Sequence, residues 1–380
     1  MIHRILSLSE IKTDSLFLWG PRQTGKSTLL KQLFPEVPFY DLLKSDVYAL
    51  YKLNPSRLRE ECMMLEEGSV VIIDEVQKIP ALLDEVHWLM TNRDIRFILC
   101  GSSARKLKRT GANLLGGRAI RKVLHPFVSA EIQDFNLDKA VNYGMLPRHY
   151  LTKNPQKRLQ AYIGDYLQQE IIAEALVRQL DSFTRFMEVA ALSDSEMVNY
   201  TKIAADCGVS SKTVKEYFSI LEETLVGMFV PAYTKVIKRK VQLAPKFYFF
   251  DVGVTNYLLR REKLQRGTAE YGHAFEHFII QELVAWLDYT ESGKKLSYWH
   301  TQNNAYEVDA IIGDAELAIE IKSSDKIVSS HLKSLKAFQE EHPKCKLVVV
   351  CLEEKPRLFN GVEVWPATTF LSNLWRGKIM

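Results

Sequence analysis

Gly20-Pro21-Arg22-Gln23-Thr24-Gly25-Lys26-Ser27-Thr28 decides how this chain is read, because it meets the Gly-x4-Gly-Lys-Ser/Thr pattern in a setting where that pattern works. The apolar run Ser15-Leu16-Phe17-Leu18-Trp19 leads in, and Thr28-Leu29-Leu30-Lys31-Gln32-Leu33 leads out at helical spacing. A strand, a glycine-rich turn and a helix together make a phosphate-binding loop. Glycines let successive backbone N–H groups turn inward, and the helix presents its positive end to anionic oxygens. Lys26 then reaches the terminal phosphates and Ser27 ligates Mg²⁺, with Gly20 to Thr28 as the nucleotide-binding segment. The competing explanation is a glycine-rich turn that matches by chance.

A second stretch argues against chance. Val70-Val71-Ile72-Ile73-Asp74-Glu75 is an apolar run ending in two acids, the pattern of a buried parallel strand with carboxylates at its C-terminal edge. Asp74 is expected in the Mg²⁺ shell and Glu75 as the general base that polarises water. Arg96 to Gly101 reads as another buried strand, and Ser102 at its tip either touches the γ-phosphate or the water, or caps a helix beginning at Ala104. A short strand over 38–41, helix over 47–67 with a break at Pro55, and an amphipathic stretch over 80–92 complete the alternation. Strands alternating with helices predict a parallel sheet whose ligand sits at the strand C-terminal ends. The expected ligand is ATP or GTP with Mg²⁺.

The 380 residues exceed one core and predict two or three domains. Hydrophobic content of 47% with 25% charged residues is ordinary for a soluble globular protein, and a net charge of +4 selects no partner class. The five cysteines are scattered, with no metal-binding spacing, and are expected to be reduced thiols. Met1-Ile2-His3-Arg4 lacks the apolar core of a signal peptide and no run approaches membrane-spanning length, so a cytoplasmic, unanchored protein is expected.

Between Asp94 and Glu131 stand eight Lys or Arg and no acid. Arg118, just ahead of an expected last strand over 120–124, is placed either to reach a neighbouring subunit's nucleotide as an arginine finger or to serve as a structural or DNA-contacting residue. A finger acting in trans implies a homo-oligomer, ring or dimer. Helical periodicity over 149–192 ends the sheet domain near Pro147, giving expected domains 1–148, 149–245 and 246–380. The run from Tyr200 to Leu221, with Gly208 and an N-capping Ser210, has the pattern of a helix-turn-helix whose Ser211, Lys212 and Lys215 face outward. Strand-like runs over 225–230 and 247–250 flank Lys235, Lys238, Arg239 and Lys240, and no acid lies between Glu223 and Asp251. That combination reads as a winged helix gripping DNA phosphates, or as a packing module between domains.

The last part of the chain repeats the theme of acids on strands. A helix opens near Gly272 and carries Glu276; strands follow over 296–300, 306–312 and 317–321, then a helix over 329–341 and a strand over 346–351. Glu307-Val308-Asp309 and Glu320-Ile321-Lys322 stand on adjacent strands. Residues two apart on a strand share a face, so Asp309 and Glu320 are expected to hold Mg²⁺ or Mn²⁺ while Lys322 orients a water for phosphodiester hydrolysis. Charge pairing on a solvated hairpin face explains the same spacing.

These residues together resemble one family over nearly the whole chain: the bacterial and archaeal AAA-type ATPases that end in a domain of unknown function similar to the PD-(D/E)XK nucleases. The resemblance rests on the loop at Gly20 to Ser27, Ile73 to Gln77, Gly101 to Ser103, Gly117-Arg118, Pro245 to Gly253, Gly272 to Glu276, Glu307 to Asp309 and Ile319 to Lys322. It departs at Tyr143-Gly144-Met145-Leu146-Pro147, where the family more often has two successive glycines. It implies an α/β protein: a P-loop AAA+-like sheet, a helical and winged-helix middle, and a restriction-endonuclease-like end. It further implies ATP hydrolysis by Lys26, Ser27, Asp74 and Glu75, with Arg118 as finger candidate, and Glu276, Asp309, Glu320 and Lys322 in nuclease-like positions. The expected function is an ATPase acting on DNA; a helicase with an inert end domain and a nucleotide-dependent scaffold for a protein partner are the alternatives.

Overall fold

A computed structural model describes residues 2–103, 115–163, 180–235, 239–302 and 305–380. They divide into two compact units, one of His3–His125 with Glu223–Val226, the other of Pro126–Glu222 and Gly227–Met380 with the N-terminal tip.

The first unit is built on a parallel sheet of β1 (Ser15–Trp19), β2 (Phe39–Asp41), β3 (Val70–Asp74), β4 (Arg96–Gly101) and β5 (Ala119–Val123), in the order β2-β3-β4-β1-β5. β1 and β4 lie in the middle with β3 and are buried on both faces, which is why they read as continuous apolar runs and not as alternating ones. The expected helix over 47–67 is two helices, Ser45–Leu53 and Ser56–Cys62, because Pro55 lacks the N–H that would continue the first. Those helices and Leu82–Asn92 cover one face with Tyr51, Leu58, Cys62, Val86 and Leu89 against Val71, Ile73, Phe97 and Leu99. The register pairs Trp19 with Gly101 and Asp74 with Cys100, so the chain leaves β1, β3 and β4 at the same end of the sheet. Gly101 must be glycine there: a Cβ would lie 2.4 Å from Gln77 Oε1 and 2.6 Å from the Trp19 ring.

This unit stops at His125, short of the expected 148. Helical periodicity in 126–150 is real, but Phe127, Val141, Met145 and Tyr150 share their core with Tyr248, Phe275 and Phe278 of the other unit's own elements. Gly144 is part of the same arrangement. Its φ is +73°, and a Cβ would fall 1.8 Å from Asp251 Oδ1. Asp251 is the N-cap of helix Val252–Leu258, accepting from Gly253 N at 3.0 Å, and its other oxygen accepts from Met145 N at 2.7 Å. Burial pushes this carboxyl up to about 6.

In the second unit helices Tyr200–Cys207 and Ser211–Glu223 form the helix-turn-helix, with Gly208 at φ +67° between them and Ser210 Oγ accepting from Thr213 N at 3.1 Å as the N-cap. Antiparallel β6 (Gly227–Val230) and β7 (Lys246–Phe249) follow. Phe218 packs edge-on to Phe186 and Phe247, each at 4.8 Å between ring centroids, fixing helix to hairpin. The expected boundary at 246 therefore cuts a paired hairpin.

Helix Ala269–Thr290 and a sheet of β8 (Leu296–His300), β9 (Glu307–Ile312), β10 (Leu317–Ile321), β11 (Lys346–Cys351), β12 (Arg357–Phe359) and β13 (Val362–Pro366) complete the unit in the order β12-β13-β11-β10-β9-β8. β8, β9 and β10 are antiparallel, β10 and β11 parallel. Among the described residues, 231–233 and 242 between β6 and β7 do not stand free of the sheet. They run along β8, with Tyr233 N donating to Tyr298 O at 2.6 Å, Tyr298 N to Pro231 O at 3.0 Å and Gln242 N to His300 O at 2.9 Å.

Candidate functional site

The glycine-rich loop ends in Gly25 at φ +95°, just before helix Lys26–Leu33. Gly20 is held under Leu124, whose carbonyl oxygen would lie 2.5 Å from an added Cβ. Buried Arg4 clamps the loop from behind by donating to Thr24 O and His125 O, both at 2.7 Å. Lys26 is 6% exposed, and its ammonium donates to the carbonyls of Gly20 at 2.7 Å and Pro21 at 3.0 Å. It rests on neutral acceptors and can exchange them for phosphate oxygens. Arg22 and Gln23 are half-buried in the loop, Pro21 and Thr24 are buried, and Thr28 is exposed on the helix.

Ser27 Oγ donates to Asp74 Oδ2 at 2.5 Å, while Asp74 Oδ1 is buried with no hydrogen-bond partner. Buried polar atoms are almost always paired, so a bare carboxylate oxygen beside a serine hydroxyl at the mouth of an anion-binding loop fits a hard divalent cation. The residues present fit Mg²⁺ and a triphosphate: Ser27 and Asp74 would hold the metal, Lys26 and the loop N–H groups the phosphates.

Glu75 follows in left-handed backbone, φ +59°, and is 6% exposed. Its Oε2 accepts from Gln77 Nε2 at 2.5 Å and lies 3.8 Å from Arg22. The same Gln77 nitrogen donates to Ser102 Oγ at 3.1 Å, tying the general-base candidate to the tip of β4. Gln77 and Arg4 were not among the expected site residues. Gln77's signal is a polar side chain two places past the acid of a strand tip; Arg4 has none, being distant in sequence from what it clamps. The helix expected from Ala104 lies outside the described residues.

Arg118 stands apart. It precedes β5, whose Ala119 pairs with Ser15 at the start of β1, so it sits at the sheet end opposite Gly20. Its guanidinium contacts His87 Nε2 at 2.6 Å and Thr91 Oγ1 at 2.8 Å on helix Leu82–Asn92.

The C-terminal acids do assemble, but with lysines between them. Lys322 Nζ lies 2.6 Å from Glu320 Oε1 and 3.9 Å from Asp309 Oδ2. Asp309 Oδ2 also accepts from Ile321 N at 2.7 Å, closing the open end of the β9–β10 ladder. Lys246, 3% exposed on β7, lies 2.6 Å from Glu307 Oε1 and 3.2 Å from Glu276 Oε1, which also accepts from Tyr248 Oη at 2.8 Å. Burial, then the Asp309 charge, pushes Glu320 up to about 8, and burial raises Asp309 to about 6 against the pull of Lys322. Burial works against both ammoniums, yet the surrounding carboxylates hold them charged: Lys246 and Lys322 stay above the usual lysine range. Among the described residues no group of three or more His, Cys, Asp or Glu is placed to hold a metal ion. The expected metal pair of Asp309 and Glu320 is thus corrected: ammonium groups stand where the cation was expected, and the arrangement does not fit a metal as it stands. Lys246, Tyr248 and Glu307 complete the cluster and were missed as site residues; the one clue is a lysine opening an otherwise aromatic strand.

Of the expected DNA contacts, Lys212 and Lys215 are exposed on helix Ser211–Glu223, with Ser211 half-buried beside them. Lys240 is exposed and Lys238 lies outside the described residues. Lys235 is paired with Asp314 at 2.8 Å, and Arg239 with Glu340 at 2.5 Å and Glu341 at 2.9 Å. Both are therefore corrected as free phosphate contacts: their charge is answered by the chain's own carboxylates. Among the described residues no helix is long and apolar enough to cross a membrane.

Residues 12–133 match the family model described as an AAA domain. This part of the chain is similar to AAA domains and carries their P-loop pattern. Residues 134–265 and 271–370 match two models described as domains of unknown function, DUF8612 and DUF4143. No curated protein matches the chain. Solved structures similar to it include an Orc1 protein of Aeropyrum pernix in complex with DNA, 12% identical at a TM-score of 0.27, covering 67% of this chain and 89% of that one. Another is a signal transduction ATPase with numerous domains and a tetratricopeptide repeat sensor from Pyrococcus horikoshii, 13% identical at 0.23, covering 75% and 49%. At those scores neither describes this fold. The AAA domain itself is placed by its family match, its strand order and its loop.

Proposed function

We propose that this chain hydrolyses ATP at the loop of the AAA domain and couples turnover to an action on DNA. Asp74 carries the reading: one oxygen accepts from Ser27, the first helix residue after Lys26, and the other is buried with no hydrogen-bond partner. Bound Mg²⁺ would supply neutralisation of the charge on the transferred phosphoryl group. Lys26 leaves the carbonyls of Gly20 and Pro21 for the terminal phosphates. Glu75, released from Gln77, takes the proton of the attacking water. Arg118, held away from its own loop by His87 and Thr91, serves a neighbouring copy in a homo-oligomer. The exposed face of helix Ser211–Glu223, with Ser211, Lys212 and Lys215, meets DNA phosphates, and the setting is the cytoplasm.

A second reading is a nucleotide-dependent scaffold with a silent C-terminal site, favoured by the two lysines inside the acid cluster. ATP turnover measured with and without duplex and forked DNA decides between them. Stimulation by DNA that is lost in Lys212→Ala/Lys215→Ala supports the motor; DNA-independent turnover in both proteins rejects it. Mn²⁺-dependent nicking of plasmid that disappears in Lys322→Ala would restore a nuclease role, and ATP-driven opening of the fork would point to a helicase.

A further inference from the structure

Helices Pro155–Gln160, Leu180–Leu192 and Val252–Leu258 of the second unit border an open cavity of about 570 Å³, a size that admits a small organic ligand. Buried Ile163 and Leu258 with half-buried Tyr257 make one wall apolar, and exposed Gln156 and Gln160 place amides on the rim. Three cations line it against two carboxylates, and they differ in what answers them. Arg260 and Glu188 are both exposed and lie 3.7 Å apart, so this pair satisfies itself. Arg261 is half-buried, and its guanidinium makes one hydrogen bond, Nη1 to Asn256 Oδ1 at 3.3 Å, with no carboxylate of the described residues at ion-pair distance. Burial holds Arg261 below the usual arginine range, and Asp194 and Glu270 draw it back only through space. Asn256 is itself fixed: its Nδ2 donates to Val141 O at 2.9 Å and Asn142 O at 3.0 Å, and its backbone carbonyl accepts from Arg261 N at 2.9 Å. A guanidinium drawn partly out of water is thus anchored at one corner and left with donors to spare, beside exposed Lys157 and an apolar wall.

We propose that this cavity binds a small organic anion, with Arg261 as a two-point clamp on its carboxylate or phosphate, Lys157 as a second cation, and Ile163, Tyr257 and Leu258 against an apolar or aromatic body. The planar fork of an arginine matches the paired oxygens of either anion, and a partly desolvated setting strengthens those bonds. The nucleotide loop belongs to the other compact unit, so this site is distinct from it and does not rest on the ATPase or DNA reading.

The test uses the full chain carrying Lys26→Met, so that the loop lysine cannot take the anion. Binding of phenyl phosphate, phenylacetate and the neutral 2-phenylethanol is followed by saturation-transfer NMR and calorimetry. At least one of the two anions should bind at roughly millimolar concentration or below, at least about tenfold tighter than the alcohol. Tighter phenyl phosphate marks a phosphate ligand and tighter phenylacetate a carboxylate, and either order supports the site. Arg261→Met should weaken the anion at least about tenfold, and Arg261→Lys by less, since an ammonium keeps the charge but loses the fork. Gln160→Trp, which fills the cavity from its exposed rim, should abolish binding, whereas Lys153→Ala, outside the cavity, should leave it unchanged. Absence of binding by both anions, equal binding of the alcohol, or parental affinity in folded Arg261→Met overturns the proposal. Should Arg261→Met fail to fold, Gln160→Trp decides, and affinity retained there overturns it as well.

Discussion

The two charged centres of this chain are built from the same groups, lysines and buried carboxylates, and arranged in opposite ways. In the AAA domain Lys26 rests on two backbone carbonyls and Asp74 keeps one oxygen bare. In the acid cluster Lys246 and Lys322 sit on Glu276, Glu307 and Glu320. The first centre has its cation and its anion held apart, so an incoming ligand can engage both without breaking an ion pair. The second has already satisfied most of its charge internally, and a ligand must displace a lysine to enter. Charge of a given sign at a sheet edge therefore says little about readiness to bind; the partner it already has says much more.

The contrast is broken most readily at Glu75. Glu75→Gln should lower ATP hydrolysis by roughly 10²- to 10⁴-fold while leaving nucleotide affinity close to the parent, read by single-turnover kinetics alongside equilibrium binding. An equal loss of binding would mean that the acid serves the resting loop and not the water. Next come the lysines. Lys322→Met should cost about 2 kcal/mol of stability in urea unfolding, a figure below that for a fully buried pair because about a third of the Lys322 side chain meets water. Lys26→Met should change stability by less than about 1 kcal/mol, since it releases only neutral acceptors, while abolishing nucleotide binding. Similar costs at both positions would erase the difference between the two centres.

The pH dependence sharpens it further. Glu320, raised by burial and by Asp309 from an ordinary 4.5 to about 8, binds its proton more tightly in the folded chain than in the unfolded one. Its contribution is favourable below pH 4.5 and is lost as the pH rises toward 8. Glu320→Gln, which cannot ionise, should flatten the fall in stability across that window, and an unchanged slope would show that the carboxyl is not held protonated. The smallest effect belongs to Lys235→Ala. Its partner Asp314 is as exposed as it is, so neither stability nor DNA affinity should move measurably, in contrast to the DNA affinity of Lys215→Ala.

The loop and the acidic strand tip were legible because their atoms come from contiguous stretches. One run of residues makes the loop, another ends in Asp74 and Glu75, and parallel pairing alone brings the two together. The same local logic found both helices of the helix-turn-helix and the caps at Ser210 and Gly208. It failed where the answer to a charge lies far along the chain. Lys235 and Arg239 read as a free basic wing because Asp314, Glu340 and Glu341 stand about a hundred residues away, and nothing in the basic run announces them. Lys246 carries no signal of its own, since its partners Glu276 and Glu307 belong to a helix and a strand further along the chain. Periodicity tells which face of 126–150 is apolar, but not which core receives it.

The segment that runs along β8 has one more effect. An uncovered outer strand offers its free N–H and C=O groups to any other strand, and unlimited stacking of chains can begin there. Here that border is sealed from within by 231–233 and 242, and the opposite border, β12, has only three residues and carries exposed Arg357. Copies of this chain are thereby steered away from fibre-like growth through this sheet.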